Sequence, residues 1–465
     1  MKLKDLLQLA QQPPRPTTPA ERLAKRYLNV EDVRKAAGRR LPRSIFDYIE
    51  GGGEDESSLR RNRDAFGEWA LVPFWGGVQG PDLSTTILGE TSTLPMTLSP
   101  TGGTRLFHPQ GEIAVARAAA KVGLPYGLAH LSTTTLEDVA DAAPNGRRWF
   151  NMELVTDPVE LQAMLDRVEA SGYDTLLVNL DVRDIGHRER DYRNGFTAPP
   201  SIRPKSVVEG VFHPGWSLGF VMNEAIAFPN LDSVRPTGAL SSSPDMWRTL
   251  LSGSYTPTDW SHLAELRRRW KGKIVLKGVV SAADAVTAIE YGMDGIQISN
   301  HGGRQLDHMA TPLDVLPEIA AATGGRIELI LDGGVRRGTD VIKALALGAH
   351  AVAIGRPYLY GLAAHGQVGH PVGIARGGPA DAAARLLHHR RGPHPRTRDR
   401  AAPRPRTRAR PPDRLDRFPH PLHTPHVEGD VHMNSFTRST TVKRRTAAVL
   451  GGREVPVAAN ALEPR

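Results

Sequence analysis

The stretch Ser299-Asn300-His301-Gly302-Gly303-Arg304-Gln305-Leu306-Asp307 follows an alternating apolar run at 295–298, which predicts a short buried strand. A strand that ends in His, two glycines and Arg places an acid–base group and a fixed cation at its carboxyl-terminal tip. The glycines allow a tight turn and a close approach to a ligand, and the guanidinium can bind a carboxylate with two hydrogen bonds. A polar loop that merely closes a strand is the alternative interpretation.

The rest of the chain repeats a short apolar segment, a polar turn and, in most units, an amphipathic helix. The eight predicted strands cover residues 96–100, 125–129, 148–152, 175–181, 274–278, 295–299, 328–332 and 351–355. Strand–helix alternation indicates a parallel sheet, and eight strands fit an α/β fold of the (β/α)₈ TIM-barrel type. An open, doubly wound sheet is the alternative.

The predicted barrel occupies residues 29–369 and begins with a short helical segment, two helices at 29–39 and 42–49. Residues 1–28 are polar and contain prolines, which is typical of a loose arm. A long insertion at about 193–260, after the fourth strand, exceeds a normal barrel connection. We expect it to be a lid over the carboxyl-terminal face, with peripheral membrane contact as a second interpretation of its scattered apolar residues.

The residues from 370 to 465 differ sharply in composition from the barrel. Residues 371–465 contain 19 Lys and Arg against 8 Asp and Glu, so the net charge of +9 originates there. This Pro-, Arg- and His-rich composition predicts disorder. The abrupt change after Gly369 resembles GC-rich DNA read in a shifted frame, which resequencing would test. Its only aromatic residues, Phe418 and Phe436, do not support base stacking, so no specific nucleic acid partner is expected.

The chain contains no Cys, which excludes disulfides, thiolate metal sites and a Cys nucleophile. The sequence has no apolar run of 18 residues, so we expect no transmembrane helix. No secretory signal is apparent at the N-terminus. We therefore expect a cytoplasmic location, with a membrane-peripheral one as the alternative.

The carboxyl-terminal ends of barrel strands form the active sites of TIM barrels. Here these ends carry polar residues of mixed charge, namely Thr101, His130, Asn151, Glu153, Asn179, Asp181, Lys277, Ser299, His301 and Asp332. The last two units add Asp332-Gly333-Gly334-Val335-Arg336 and Gly355-Arg356. Free backbone N–H groups and Arg side chains at this position are typical of a phosphate site.

Several motifs together resemble the FMN-dependent α-hydroxy-acid oxidoreductases, which include L-lactate dehydrogenase, glycolate oxidase, lactate 2-monooxygenase and mandelate dehydrogenase. The motifs are FDYIEGGGEDE (46–56), SPTGGTRLFHPQGE (99–112), DVRDIGHRERDYRNG (181–195), KGKIVLKG (271–278), SNHGGRQLD (299–307) and the glycine-rich stretch from 332 to 364. The resemblance implies FMN and oxidation of an L-2-hydroxy acid, lactate-like, to the 2-oxo acid. It also implies O₂, a quinone or a cytochrome as electron acceptor, and a homo-oligomer, often a tetramer.

The resemblance assigns catalytic roles to five residues. His301 would be the base, and Asp181 would stabilise its imidazolium. Arg188 and Arg304 would bind the substrate carboxylate, and Tyr48 would hydrogen-bond to the substrate.

The resemblance also assigns flavin contacts, and it predicts no metal. Lys277 would lie beside the ring edge that becomes anionic on reduction. Asp332 would bind the ribityl chain. Ring contacts are implied for Pro100, Thr101, Gly102, Asn151, Asn179 and Ser299, and phosphate contacts for Gly333, Gly334, Arg336, Gly355 and Arg356.

Four positions of the barrel depart from the family pattern. Asn151 stands where Gln is common, Glu153 where Tyr is common, Ala129 where Ser is common and Asn179 where Thr is common. A carboxylate at 153 would oppose an anionic substrate unless it is protonated or paired. A relative that acts on another substrate, such as a modified peptide, and a product inactivated by its altered C-terminus are therefore alternatives.

Overall fold

The computed structural model describes residues 18–72, 82–153, 157–182, 186–195, 204–231 and 259–375. Eight parallel strands close into a barrel in the order β10-β3-β4-β5-β6-β7-β8-β9. These strands are β3 (Met96–Leu98), β4 (Tyr126–Ala129), β5 (Arg148–Met152), β6 (Thr175–Asn179), β7 (Lys273–Val279), β8 (Gly295–Ile298), β9 (Glu328–Asp332) and β10 (Ala351–Ile354). The TIM-barrel prediction is therefore confirmed, and the open sheet is wrong.

Helices surround the barrel because each presents an apolar face to it. The helices that follow barrel strands are α5 (Gly111–Val122), α6 (Leu136–Ala142), α7 (Pro158–Ala170), α11 (Trp260–Arg269), α12 (Ala282–Glu290), α13 (Pro312–Thr323), α14 (Gly338–Ala346) and α15 (Arg356–Ala375). Side-chain oxygens cap several of their N-termini, as Asp157 does for α7 and Thr311 for α13.

A short hairpin closes the amino-terminal end of the barrel. It pairs β1 (Thr85–Ile87) with β2 (Glu90–Ser92). Ile87 and Leu88 pack into the interior cluster with Trp149, and Leu88 N donates to Glu328 Oε2 at 2.8 Å. The sequence analysis missed this hairpin. It leaves the opposite, carboxyl-terminal end as the open one.

Helices α2 (Val30–Arg40), α3 (Arg43–Glu50) and α4 (Ser57–Asp64) precede the barrel. The loop between α3 and α4 packs on the 299–307 stretch, where Gly53 N donates to Gly303 O at 2.9 Å. Asp307 accepts hydrogen bonds from Ser57 N and Ser58 N at the start of α4. Two distant motifs of the sequence thus form one structural unit at the open end.

The loose-arm prediction is wrong for residues 19–26, which form α1 (Pro19–Arg26). Thr18 and Glu21 form a reciprocal capping box, in which Glu21 N donates to Thr18 Oγ1 at 3.1 Å. Tyr27 is buried behind it. Residues 1–17 lie outside the described part of the chain.

Helix α8 (Glu189–Asn194) leads into the insertion, which contains α9 (Pro204–Phe212), α10 (Pro214–Val221) and a 3₁₀ turn at Pro229–Leu231. Its residues 196–203 and 232–258 lie outside the described residues, and its role as a lid remains a prediction. Within the segments that the structure describes, no helix is both long enough and apolar enough to cross a bilayer.

The eighth barrel helix, α15, extends past Gly369, the expected end of the barrel, to Ala375. It is interrupted at Gly366, whose φ of 60° and ψ of −144° are not helical. Residues 376–465, which make up most of the predicted disordered tail, lie outside the described residues.

Candidate active site

A cavity of about 1330 Å³ opens at the carboxyl-terminal ends of the strands. All the predicted site residues line it except Asp181 and Ser299, which lie behind its wall. Asp181 contacts His301, and Ser299 donates to Asp332. The barrel therefore brings together residues that are up to about 300 positions apart in the sequence.

His301, Asp181 and Lys277 form a buried charged group at one side of the cavity. Asp181 Oδ1 lies 3.2 Å from His301 Nδ1. Lys277 Nζ lies 3.2 Å from the same nitrogen and 3.8 Å from Asp181 Oδ2. The absence of a side chain at Gly278 makes this possible, because a Cβ there would lie 2.6 Å from Asp181 Cβ.

The protonation of this group follows from its charges. Burial raises the pKa of Asp181, but the Lys277 and His301 charges outweigh burial and hold that pKa below its ordinary value. The Asp181 carboxylate can only accept a hydrogen bond from His301 Nδ1, and the Lys277 ammonium can only donate one to it, so the tautomer of the imidazole decides which of the two contacts is a hydrogen bond. Burial and the Lys277 charge lower the pKa of His301, although Asp181 opposes them. A pKa below its ordinary value favours the neutral imidazole near pH 7.

Two guanidinium groups lie near one aromatic ring. The Arg304 Cζ is 4.9 Å and the Arg188 Cζ 6.0 Å from the centre of the Tyr48 ring. Arg304 Nη1 donates to Tyr48 O and Gly51 O. Asp191 is the nearby carboxylate, 3.7 Å from Arg188. Burial and the Arg188 charge lower the pKa of Arg304 to about 9. The positive charges of Arg188 and Arg304 repel each other, and an anion bound between them would relieve that repulsion.

Asp332 Oδ2 is the centre of a hydrogen-bond network at the end of β9. It accepts from Gln297 Nε2 at 2.9 Å, Ser99 Oγ at 3.1 Å and Ser299 Oγ at 3.2 Å. Sequence reasoning identified Asp332 and Ser299 but missed Gln297 and Ser99. The fixed carboxylate faces the cavity, as a contact to a polyol chain requires.

The loop after β9 contains two glycines in the left-handed region, and the loops after β9 and β10 each contribute one cation. Gly333 and Gly334 have φ of 108° and 82°. Arg336 lines the cavity and donates to the carbonyl of Val335. The Arg356 guanidinium instead donates to the carbonyls of Ile49, Gly51 and Gly302. These three hydrogen bonds fix the Arg356 guanidinium at the cavity and leave two of its five N–H donors, so its predicted phosphate role stays a prediction.

Polar side chains follow β5 and β6 on the far side of the cavity. Asn179 Nδ2 donates to Glu153 Oε1 at 2.9 Å and to Asn151 Oδ1 at 3.3 Å. Asn151 Nδ2 donates to Leu177 O. Burial raises the pKa of Glu153 to about 7, although the Asn179 hydrogen bond and the Lys277 charge oppose it. Pro100, Gly102 and Thr101 complete this wall, and Thr101 hydrogen-bonds to Tyr358.

Two further residues support the site and were not assigned roles from sequence. Gln305 Nε2 donates to Asp181 O at 3.2 Å, and its Oε1 accepts from Gly186 N. His130 is buried and contacts Glu153 N. Gln305 lies within the 299–307 motif, and this position in the sequence could have indicated a role at the site. His130 had no such signal.

The chain matches the family model of the FMN-dependent dehydrogenases over residues 37–372. It is 41% identical to the "Putative L-lactate dehydrogenase" of Mycobacterium tuberculosis over 343 residues, 74% of this chain and 81% of the relative. It is 40% identical to the (S)-mandelate dehydrogenase of Pseudomonas putida, over 75% of this chain and 86% of that protein. The crystal structure described as "monotopic membrane protein (S)-mandelate dehydrogenase" superimposes with a TM-score of 0.72 at 39% identity, covering 78% and 95% of the two chains.

The fold and the cavity define an oxidoreductase that acts on the CH–OH group of 2-hydroxy acids. The chain belongs to the FMN-dependent dehydrogenase family.

The residues that line the cavity fit FMN. Asn179 Oδ1 is a buried acceptor with no hydrogen-bond partner among the described residues, and the flavin ring offers an N–H group. Lys277 supplies a buried cation, and Arg336 a cation for a phosphate. The space in front of Gly355 is open, since a Cβ there would meet only Thr101 Cγ2 at 3.7 Å.

Proposed function

We propose that the protein oxidises an L-2-hydroxy acid to the 2-oxo acid with His301 as the catalytic base. The observation that carries this proposal is the 3.2 Å contact between His301 Nδ1 and Asp181 Oδ1, with Nε2 left unbonded by the described residues. His301 has a φ of 56°, a strained conformation that is often found at functional sites. L-lactate is the simplest substrate of this class and the first to test.

His301 Nε2 would accept one proton from the substrate, either from Cα or from the hydroxyl group. The positive charge that forms on the ring lies against the Asp181 carboxylate, which is already ionised. FMN, when bound, would supply the two-electron acceptor and would take up the second hydrogen, as hydride from Cα if His301 takes the hydroxyl proton or as the hydroxyl proton if His301 takes the proton from Cα. Lys277 would place its positive charge beside the ring edge, and Asp332, Gly333, Gly334 and Arg336 would hold the ribityl phosphate.

Arg188 and Arg304 would bind the substrate carboxylate. Arg188 pairs with Asp191 at 3.7 Å, whereas Arg304 has no carboxylate within 4 Å among the residues described, and burial makes its unpaired charge costly. A bound carboxylate offsets this cost and orients the substrate Cα toward His301. Tyr48, whose ring contacts both guanidiniums, would border the same subsite.

Anaerobic mixing of the FMN-loaded protein with L-lactate, L-mandelate and their D-enantiomers tests the proposal. We expect the 450-nm flavin absorbance to bleach with an L-hydroxy acid and to remain with both D-enantiomers. A flavin that no 2-hydroxy acid bleaches would contradict the proposed reaction.

We also propose that α9 and α10 contact a lipid bilayer. Phe212 is 77%, Val221 78% and Met222 79% exposed, and Val207, Val208, Val211 and Leu218 are also exposed. Monomeric proteins seldom expose so many neighbouring large apolar side chains, and apolar helices of this kind bind at the membrane interface. The related mandelate dehydrogenase structure is described as a monotopic membrane protein.

Co-sedimentation with phosphatidylcholine/phosphatidylglycerol vesicles tests this contact. We expect the double variant Phe212→Ser/Val221→Ser to lose binding. The control Val159→Ser, which removes an apolar side chain that is 73% exposed on α7, should bind as the wild type does. Equal binding of all three proteins would exclude α9 and α10 as the contact.

A further inference from the structure

The Glu153 carboxyl group lies at the tip of β5, on the opposite side of the barrel mouth from the strand that precedes Arg304. It is only 9% exposed and lines the cavity. Its Oε1 accepts the hydrogen bond from Asn179. Its Oε2 has no hydrogen-bond partner within the described segments. An acceptor that faces a ligand cavity without a protein donor can accept a hydrogen bond from a ligand, and a ligand that covers it without a donor leaves it unsatisfied.

The backbone of Glu153 is held by a chain of buried hydrogen bonds. His130 Nε2 lies 2.8 Å from Asn230 O, a carbonyl that can only accept, so Nε2 donates. His130 Nδ1 then accepts from Glu153 N at 3.3 Å. Burial lowers the pKa of His130 to about 4, which keeps this neutral tautomer. Asn230 belongs to the insertion, is fully buried, and also accepts from Leu136 N. These hydrogen bonds hold the Glu153 backbone in place, so its side chain enters the cavity from a defined position.

The proposed roles leave one part of the substrate without a contact. His301 faces the reacting carbon, and Arg188 and Arg304 face the carboxylate. Glu153 follows β5, which is three strands away from β8, the strand that leads into His301 and Arg304. The group that remains to reach Glu153 is the side chain on the substrate Cα.

We propose that Glu153 determines substrate specificity by accepting a hydrogen bond from a hydroxyl, amide or ammonium group on that side chain. The inference rests on the proposed function, since it concerns the substrate of the same site. A purely apolar side chain leaves Oε2 without a partner, and a second carboxylate on the substrate opposes it electrostatically.

Four L-2-hydroxy acids of nearly equal size test this specificity on the FMN-loaded enzyme. Three of them carry a substituent on C4, which is an ammonium group in 4-amino-2-hydroxybutyrate, a hydroxyl in 2,4-dihydroxybutyrate and a methyl in 2-hydroxypentanoate. In the fourth, malate, C4 is a carboxylate carbon. We expect kcat/KM for the ammonium and hydroxyl compounds to exceed that for the methyl compound by about tenfold to hundredfold. Malate should be the poorest substrate.

Two variants of Glu153 distinguish charge from hydrogen bonding. Glu153→Gln should keep the preference for hydroxyl over methyl and lose at least tenfold of the preference for ammonium. Glu153→Met should lose both preferences. The matched control Glu318→Gln changes an exposed side chain on α13 and should leave all the ratios unchanged. FMN affinity, measured by fluorescence quenching, is recorded for each protein.

The outcomes separate this inference from the proposed function. If the wild type oxidises none of the four acids and neither lactate nor mandelate, the proposed function fails. If the wild type oxidises them but Glu153→Met keeps its selectivity ratios, only the inference is overturned. A Glu153→Met variant that loses FMN affinity and keeps its ratios also overturns it, because Glu153 would then face the cofactor.

Discussion

Replacing Glu153 by Gln should make the protein more stable above neutral pH and change its pH dependence of unfolding. The folded protein holds the Glu153 proton up to a pKa of about 7, whereas the ordinary value is 4.5. Between these values the folded state binds one proton more than the unfolded state. Stability therefore falls as the pH rises through this window, with a slope of up to about 1.4 kcal/mol per pH unit. Below pH 4.5 the residue is protonated in both states and contributes no such penalty.

The difference between the folded and unfolded pKa of Glu153 sets the size of this loss of stability. A difference of about 2.5 pKa units corresponds to about 3 kcal/mol above pH 7. The groups that face Glu153 are Asn179 and Asp181 beside it, Lys277 beyond them, and His130 at its backbone. Lys277 reduces the penalty and Asp181 increases it. Gln has nearly the same shape and no charge, so it removes this penalty and keeps the contact with Asn179.

Urea unfolding of the FMN-saturated protein at pH 4.5, 6, 7 and 8 measures this difference. The free energy of unfolding of Glu153→Gln minus that of the wild type should rise by about 3 kcal/mol from pH 4.5 to 8. The exposed control Glu318→Gln should show a flat difference. A flat difference for Glu153→Gln as well would refute the reasoning, because the carboxyl group would then titrate alike in both states.

Two further substitutions probe the base and the cofactor loop. Lys277→Met removes a charge that lowers the pKa of His301, so that pKa should rise. The acidic limb of the pH profile of flavin bleaching should then move to higher pH. An unmoved limb would show that Lys277 does not act on the base. Gly334→Ala places a Cβ 1.9 Å from Asn62 O at a φ of 82°, so unfolding should need about 3 kcal/mol less. Gly67→Ala, where no atom lies within 4 Å of the added Cβ, should change stability by less than about 0.5 kcal/mol. Equal effects of the two alanines in chemical denaturation would contradict the steric argument.

The barrel was predictable because its strands are short apolar segments with regular helical connections between them. Buried parallel strands need apolar residues on both faces, and this pattern is visible in the sequence. The β1–β2 hairpin was missed because its short strands, TTI and ETS, contain only one apolar residue between them, whereas the equally short β3 lies in an apolar segment. Helix α1 was missed although Thr18 and Glu21 carry the capping-box spacing.

The site was predictable where a strand ends in a chemically distinctive residue, as at Lys277 and His301. The network around Asp332 was not, because Gln297 and Ser99 meet it only after the barrel has closed with its particular stagger. The Arg356 side chain was assigned to phosphate from its position after β10. Its hydrogen bonds to Gly51 in the α3–α4 loop and to Gly302 were not predictable, because they depend on tertiary packing.

The central claim, that His301 is the base and depends on Asp181, is tested most directly by the rate of anaerobic flavin bleaching in His301→Gln. With FMN bound as in the wild type, the account predicts that the rate with a saturating L-2-hydroxy acid falls by about 10²–10⁴-fold. A variant that binds FMN and bleaches at the wild-type rate would contradict the account.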